Sequence, residues 1–162
     1  MAEINLFNKT EDEWKCVNDV VMGGISNSAF RIESSDHGVF SGNVSLENNG
    51  GFASVKVPHQ KLLPKGYKSI SLRVKGDGQH YKFRIKSNLL PNNSSYSKDF
   101  ETKDREWIEV ILELSDFTPT LKGNVLSGYP DLTSDRIEGI GFLISGKQEG
   151  PFRLEISEIS LK

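Results

Sequence analysis

The feature that most constrains this fold is a train of short segments in which apolar and polar residues alternate. From about residue 29 onward the chain is dominated by segments in which apolar residues occupy alternate positions, as in Phe40–Leu46 and Ala53–Val57. A period of two places successive side chains on opposite faces of a β-strand. The other alternating segments are Phe30–Ile32, Ile70–Val74, Tyr81–Ile85, Trp107–Leu114, Ile137–Ser145 and Phe152–Leu161. About eight strands separated by turn residues predict an all-β fold, an antiparallel sandwich of two sheets.

Helical signals in the sequence are weak and short. Glu11–Lys15 predicts at most a turn, and Thr133-Ser134-Asp135 predicts the start of another. Two longer segments, Ser87–Lys98 and Ser115–Ser134, are rich in Asn, Ser, Gly and Pro. We therefore expect both segments to be irregular loops, which in a compact domain often carry function.

Size and charge exclude several classes of protein. A chain of 162 residues suits a single domain that spans residues 1–162. Its net charge of −2 argues against a general binder of nucleic acid. No apolar run is long enough to insert into a membrane, and no signal segment opens the chain. Cys16 is the only cysteine, so a reducing compartment and a cytoplasmic location are predicted.

Residue spacing points to no catalytic or metal centre. The histidines His37, His59 and His80 lie far apart, and none is spaced from Cys16 as zinc ligands are. No serine lies in a Gly-x-Ser-x-Gly motif, and Cys16 is expected to be a small buried side chain. The 22 acidic residues leave a catalytic carboxylate pair open, although no spacing favours one. The prediction is a non-enzymatic domain without cofactor or metal.

Basic residues accumulate on two neighbouring segments. Ile70–Val74 and Tyr81–Ile85 flank the turn residues Gly76, Asp77 and Gly78, which predicts a β-hairpin. If these strands pair, one polar face gathers Ser71, Arg73, Lys75, Lys82, Arg84 and Lys86. That face is either a solvated surface with cross-strand ion pairs or a binding surface. As a binding surface, its arginines would hold carboxylate or phosphate groups, with Trp107 and Phe52 as flat platforms.

A glycine-containing segment, Asn18–Ser26, precedes the strands. Its adjacent Gly23 and Gly24 permit backbone angles that are closed to other residues. Asp19 would either hydrogen-bond the backbone of this turn or bind a ligand or a hard cation. Trp14, just before the segment, is expected to anchor the N-terminal residues to the sandwich.

Several motifs occur in a characteristic order from about Trp14 to Leu161. They are Trp14, Asn18–Ser26, Phe40-x-Gly42, Asn49-Gly50-Gly51-Phe52-Ala53-Ser54-Val55, Leu72–Gly78, Tyr81-Lys82-Phe83, Trp107, Phe117-x-Pro119, Gly123, Ile140-Gly141-Phe142 and Gly150–Ile156. Together they resemble the complex I intermediate-associated protein 30 family. The resemblance implies a galactose-binding-like jelly roll and a role in assembling membrane-bound electron-transfer complexes. It implies no catalytic residues.

Three functional hypotheses follow from the sequence. The leading one is a binding domain that holds a protein client, such as a respiratory or photosynthetic complex subunit. Its predicted surface combines Arg73, Arg84 and Trp107, flanked by the turn from Asp19 to Ser26. The second is a carbohydrate-binding module, with Trp107, Tyr96 and Tyr129 as stacking platforms. The third is an enzyme for a small anionic substrate, oriented by Arg73 and Arg84 with Asp19 as base.

Overall fold

The computed structural model describes residues 2–18, 26–33, 36–47, 51–59, 61–146 and 148–162. Asp19, Gly23 and Gly24 of the glycine-containing segment lie outside these described residues. The predictions made for those three residues therefore stay predictions.

Strands are the main secondary structure of the described residues. The strands are β1 (Ile4–Asn5), β2 (Lys15–Asn18), β3 (Asn27–Ile32), β4 (Gly38–Val44), β5 (Ala53–Pro58), β6 (Ser69–Lys75), β7 (His80–Lys86), β8 (Ser94–Glu101), β9 (Trp107–Glu113), β10 (Thr118–Leu121), β11 (Asn124–Val125), β12 (Gly139–Ile144) and β13 (Gly150–Leu161). Short 3₁₀ helices cover Glu11–Glu13, Leu114–Asp116 and Ser134–Arg136. Across the described ranges, no helix is long and apolar enough to cross a membrane.

The strands pair into two antiparallel sheets. A six-stranded sheet has the order β3-β4-β13-β6-β9, with β1 also paired to β13, and a seven-stranded sheet has the order β11-β10-β8-β7-β12-β5-β2. Strand β13 is 12 residues long, so β4 and β1 pair with different parts of it while β6 pairs along its other side. The predicted antiparallel two-sheet sandwich is confirmed.

One hydrophobic core fills the space between the sheets. Leu72, Val74 and Ile156 from the six-stranded sheet are fully buried, as are Phe83 and Phe142 from the seven-stranded sheet. Each of these residues occupies the apolar phase of an alternating strand, which explains why the periodicity predicts the core. The polar phase of each strand therefore forms the outer face of its sheet.

The predicted hairpin does not form. Strand β6 pairs with β13 and β9, whereas β7 pairs with β8 and β12 in the other sheet. The residues Gly76–Gly78 thus connect the two sheets and do not close a turn between neighbouring strands. Gly78 has a φ of +85°, a conformation that favours glycine in this connection as much as it would in a hairpin. Gly and Asp residues in a connection therefore do not specify which strands pair.

Two other expectations are corrected. The segment Ser87–Lys98, predicted to be irregular, contains the first half of β8, and Ser115–Ser134 contains β10 and β11. Strand β8 alternates Tyr96 and Phe100 with small hydroxyl-bearing residues, so its outer face is polar enough to resemble a loop. Cys16, expected to be buried, is exposed on the edge strand β2.

Candidate functional site

Arg73 and Trp107 meet on the outer face of the six-stranded sheet. In the β6–β9 register Lys75 lies opposite Trp107, and Arg73 lies opposite Glu109. The Arg73 guanidinium carbon is 5.7 Å from the indole centroid, and the Lys75 Nζ is 5.4 Å from it. The His37 ring contacts the same indole edge-on at 5.7 Å. Two cations and a histidine thus surround a half-buried indole, which stabilises it and leaves less of its surface for a ligand.

A buried carboxylate, Glu155, holds two of the groups around Trp107, Lys75 and His37. Its side chain is 11% exposed and contacts His37 Nε2 at 2.9 Å, Lys75 Nζ at 3.3 Å and an Arg153 Nη at 3.6 Å. Burial by itself raises the pKa of Glu155, but the hydrogen bonds from Lys75 and His37 and the nearby charges of Lys75 and Arg153 outweigh it. The pKa of Glu155 therefore lies below its ordinary value.

We expect Glu155→Gln to lower the free energy of unfolding at pH 7 by about 1–3 kcal/mol, because it removes a charge that cations hold. Since the folded pKa is depressed, this contribution is present above the unfolded pKa of about 4.3 and is lost as the pH falls through the folded value. Urea unfolding at neutral and acidic pH measures both effects. The exposed Glu109→Gln is the control, expected to change stability by less than about 0.5 kcal/mol. A pH-independent effect of Glu155→Gln would contradict the assignment.

Asp77 joins the connection between the sheets to both of them. Its carboxylate accepts hydrogen bonds from the Tyr81 hydroxyl at 3.0 Å, the Gln79 side-chain amide at 2.7 Å and the Arg153 backbone N–H at 2.9 Å. Burial and the neighbouring Asp77 raise the pKa of Tyr81, so its hydroxyl remains a donor. Beside it, a Cβ on Gly76 would lie 2.3 Å from the Thr102 side chain. These residues have structural roles in the described part of the chain.

Arg84 lies on the opposite side of the molecule from Arg73, because β7 belongs to the seven-stranded sheet. The predicted surface that unites Arg73, Arg84 and Trp107 is therefore wrong. An enzymatic site in which both arginines orient one substrate is excluded for the same reason. On its own sheet, Arg84 is surrounded by a different set of residues that the sequence did not bring together.

The outer face of the seven-stranded sheet concentrates positive charge. One row across the strands, set by the register, reads Lys15, Lys56, Gly141, Arg84, Ser97 and Thr118. Lys82 and Lys86 lie two positions to either side of Arg84 on β7, on the same face. We call Lys15, Lys56, Lys82, Arg84 and Lys86 the cationic face. Of these, Lys82 is paired at 2.8 Å with Asp99, whose carboxylate lies opposite it on β8.

Arg84 is the most enclosed member of the cationic face. It is half-buried, and its Nε donates a hydrogen bond to the Ser95 hydroxyl at 3.1 Å. Within the described ranges, no carboxylate lies within 4.0 Å of its guanidinium. Burial lowers the pKa of Arg84, which reflects the cost of removing this charge from water. A half-buried cation without an anionic partner is the arrangement expected of an anion-binding position.

An open pocket of about 380 Å³ adjoins the cationic face. Its lining includes His80, Lys82, Asp99, Leu143 and Gln148. The Gln148 side chain accepts a hydrogen bond from the His80 N–H at 2.8 Å and donates to the His80 carbonyl at 2.8 Å, which fixes one wall. The pocket thus lies beside Lys82 at the start of β7, and Asp99 contributes a negative charge to its wall.

The remaining predicted site residues have identifiable places. Ser26 is buried, and its hydroxyl accepts a hydrogen bond from the Ser45 N–H at 2.9 Å. Trp14 is buried and stacks on Phe30 with a centroid distance of 4.3 Å. Gly51 has a φ of +134° next to the half-buried Phe52. Ser26 and Trp14 therefore support the fold.

The stacking platforms proposed for a sugar are dispersed. Tyr96 is fully buried, with its hydroxyl donating to the Pro130 carbonyl at 2.6 Å. Tyr129 is 39% exposed, and Trp107 is on the six-stranded sheet. Among the described residues, no aromatic side chain shares the row that contains Lys56 and Arg84. The structure does not assemble the platform that was predicted.

Sequence reasoning identified Arg84, Lys82 and Lys86 but missed Lys15, Lys56 and the serines of β8. The sequence does contain a weak signal for β8, because Ser95, Ser97 and Asp99 alternate with Tyr96 and Phe100. Lys56 also alternates with Val55 and Val57 on β5. Their proximity to Arg84 follows only from β12, which lies between β5 and β7. In the described residues, no group of three His, Cys, Asp or Glu side chains is placed to hold a metal ion.

Solved structures with related folds include a carbohydrate-binding module and an agarase. The family 11 carbohydrate-binding module from Clostridium thermocellum superposes with a TM-score of 0.67 and 21% identity, covering 98% of this chain and 94% of that one. An agarase crystal structure matches with a TM-score of 0.65 and 11% identity, covering 100% of this chain and 25% of the enzyme. At these identities the likeness shows the galactose-binding-like jelly-roll fold alone, as the resemblance implied.

The proteins that match in sequence are not named as carbohydrate-binding modules. The mouse mitochondrial complex I intermediate-associated protein 30 is 26% identical over 170 residues, covering 93% of this chain and 52% of the mouse protein. A probable mitochondrial counterpart from Caenorhabditis elegans is 27% identical over 173 residues, covering 93% of this chain and 50% of that protein. The chain thus spans about half the length of these relatives. The profile of the family described as complex I intermediate-associated protein 30 (CIA30) matches residues 5–156, nearly the whole chain, and this chain belongs to that family.

Proposed function

We propose that this chain is a non-enzymatic binding domain that holds a protein client during assembly of a membrane electron-transfer complex. The observation that carries the proposal is the cationic face, an outer sheet surface on which the positive charges exceed the nearby carboxylates. Lys15, Lys56 and Lys86 on this face are exposed, so a partner can reach it. The names of the relatives support a client from NADH:ubiquinone oxidoreductase or a similar complex.

The face suits a protein surface because it is broad and basic. Lys15 and Lys56 lie directly opposite each other across β2 and β5, an arrangement that like charges disfavour in the free domain. An acidic partner would relieve that repulsion and would be attracted over a distance of about 10 Å at moderate ionic strength. The predicted cytoplasmic location stays a prediction, and the relatives are named as mitochondrial proteins.

The test is capture of the client from the host cell. We expect the tagged chain, isolated in mild detergent, to bring down subunits or precursors of a respiratory or photosynthetic complex, identified by mass spectrometry. Capture should decrease as salt is added, because screening weakens a charge-driven contact. A tagged carbohydrate-binding module of the same fold is the control. Absence of such subunits, or a set shared with the control, would contradict the proposal.

A carbohydrate-binding module is the alternative function. The exposure of Tyr129, which is 39%, is the observation that favours it, since sugar rings stack on accessible aromatic rings. Titration with a panel of neutral glycans tests this alternative. Binding that is lost in Tyr129→Ala would support it, and no binding to any glycan would remove it.

A further inference from the structure

We propose that Arg84 and Lys56 form a carboxylate-binding position on the cationic face and that it takes an acidic side chain of the protein client. The identification of the ligand as part of a client rests on the function proposed above. The anion-binding position itself rests on the geometry around Arg84.

The first step concerns the unused hydrogen-bonding capacity of Arg84. A guanidinium has five N–H donors, and Arg84 uses its Nε–H on Ser95. To the described residues, its terminal Nη groups make no hydrogen bond. The remaining donors have the forked geometry that binds both oxygens of a carboxylate. Because Arg84 is half-buried, water satisfies these donors less completely than it does for an exposed arginine.

The second step concerns the position of Lys56. Lys56 and Arg84 are both opposite Gly141, on either side of β12. With strands about 4.8 Å apart, their backbones are separated by about 10 Å. Gly141 contributes no side chain between them, so two long cationic side chains can approach one anion. A Cβ at position 141 would lie 2.4 Å from the Val55 carbonyl oxygen, so the backbone itself requires glycine there.

The third step selects the ligand class. On this face the described residues supply hydroxyls, cations and the Asp99 carboxylate that Lys82 pairs, but no aromatic ring in the Arg84 row. Stacking of sugar rings or nucleic-acid bases depends on such rings. Charge complementarity and a forked donor are sufficient for a glutamate or aspartate side chain. The arrangement therefore favours an acidic protein segment over a neutral glycan, and the net charge of −2 argues against a nucleic acid.

The test compares two labelled peptides, one of alternating glutamate and serine and one with each glutamate replaced by glutamine. Fluorescence anisotropy at low salt should show that the wild-type chain binds the glutamate peptide at least about tenfold more tightly. Arg84→Gln and Lys56→Gln should each remove most of that preference. Arg84→Lys should keep part of it, because the charge remains but the fork is lost. The control Arg73→Gln, on the other sheet, should leave it unchanged.

Equal binding of the two peptides, or equal losses in Arg73→Gln and Arg84→Gln, would overturn the proposal. Should Arg84→Gln fail to fold, Lys56→Gln decides, since Lys56 is exposed and its replacement leaves the core intact. Client capture separates the two proposals. If Arg84→Gln captures the client as well as the wild type does, this inference fails and the proposed function stands. If the Arg84-dependent preference is found but no client is captured, the anion-binding position stands and the proposed function fails.

Discussion

Gly42→Ala is expected to lower the free energy of unfolding by at least about 3 kcal/mol, one of the largest effects of any single methyl group added to this chain. Gly42 lies on β4, opposite Ser28 of β3 and Phe152 of β13. A Cβ there would be 2.1 Å from the Asn27 carbonyl oxygen and 2.7 Å from the Ser28 Cα. Both obstacles are backbone atoms, so relief requires that β3 move away from β4.

The control for this prediction is Gly139→Ala on β12. The nearest atom to a Cβ at position 139 is the Val57 carbonyl oxygen at 3.1 Å, which a small shift relieves. We expect a loss of less than about 1.5 kcal/mol for this variant. Chemical denaturation monitored by tryptophan fluorescence measures both, since Trp14 stacks on Phe30 of β3. Similar losses for the two variants would show that strand spacing at Gly42 is less restrictive than the structure indicates.

Leu154→Ala is expected to cost about 3–5 kcal/mol. Leu154 is fully buried at the middle of β13, opposite Phe40 of β4, so the truncation leaves a cavity between the sheets. Leu62→Ala is a matched control, because this leucine is 96% exposed and its replacement should change stability by less than about 0.5 kcal/mol. Urea denaturation compares the two directly. A Leu154→Ala loss no larger than that of Leu62→Ala would contradict the assignment of β13 to the core.

Much of the fold is predictable from the sequence because strand alternation is a local property. Ile70, Leu72 and Val74 alternate with polar residues, so they lie on one face of β6. That face packs into the core and these residues are buried whichever strands pair with β6. The set of ordered motifs also identified the family, and its jelly roll agrees with the two sheets. Strand β8 was missed because serine is common in loops, although Ser94, Ser95 and Ser97 are buried in this strand.

The candidate site was less predictable, because it depends on which strands are neighbours. The alternation of apolar and polar residues predicts that Arg84 and Arg73 are both cations on the outer face of a sheet. The alternation assigns both to polar faces but does not say that the faces belong to different sheets. Lys56 is near Arg84 only because β12 lies between β5 and β7 in the sheet. In the chain, β12 follows β5 by about 80 residues.

The sequence alone therefore determined the buried side of the clearly alternating strands and the membership of a family, since these follow from residue order and local periodicity. Tertiary structure alone decided that Arg73 joins Trp107 and Glu155 on one face while Arg84 joins Lys56 on the opposite face. The physical reason is that the backbone hydrogen bonds between strands do not depend on which side chains the paired residues carry. Partner choice is set by packing of the whole sandwich, which involves residues far apart in the chain.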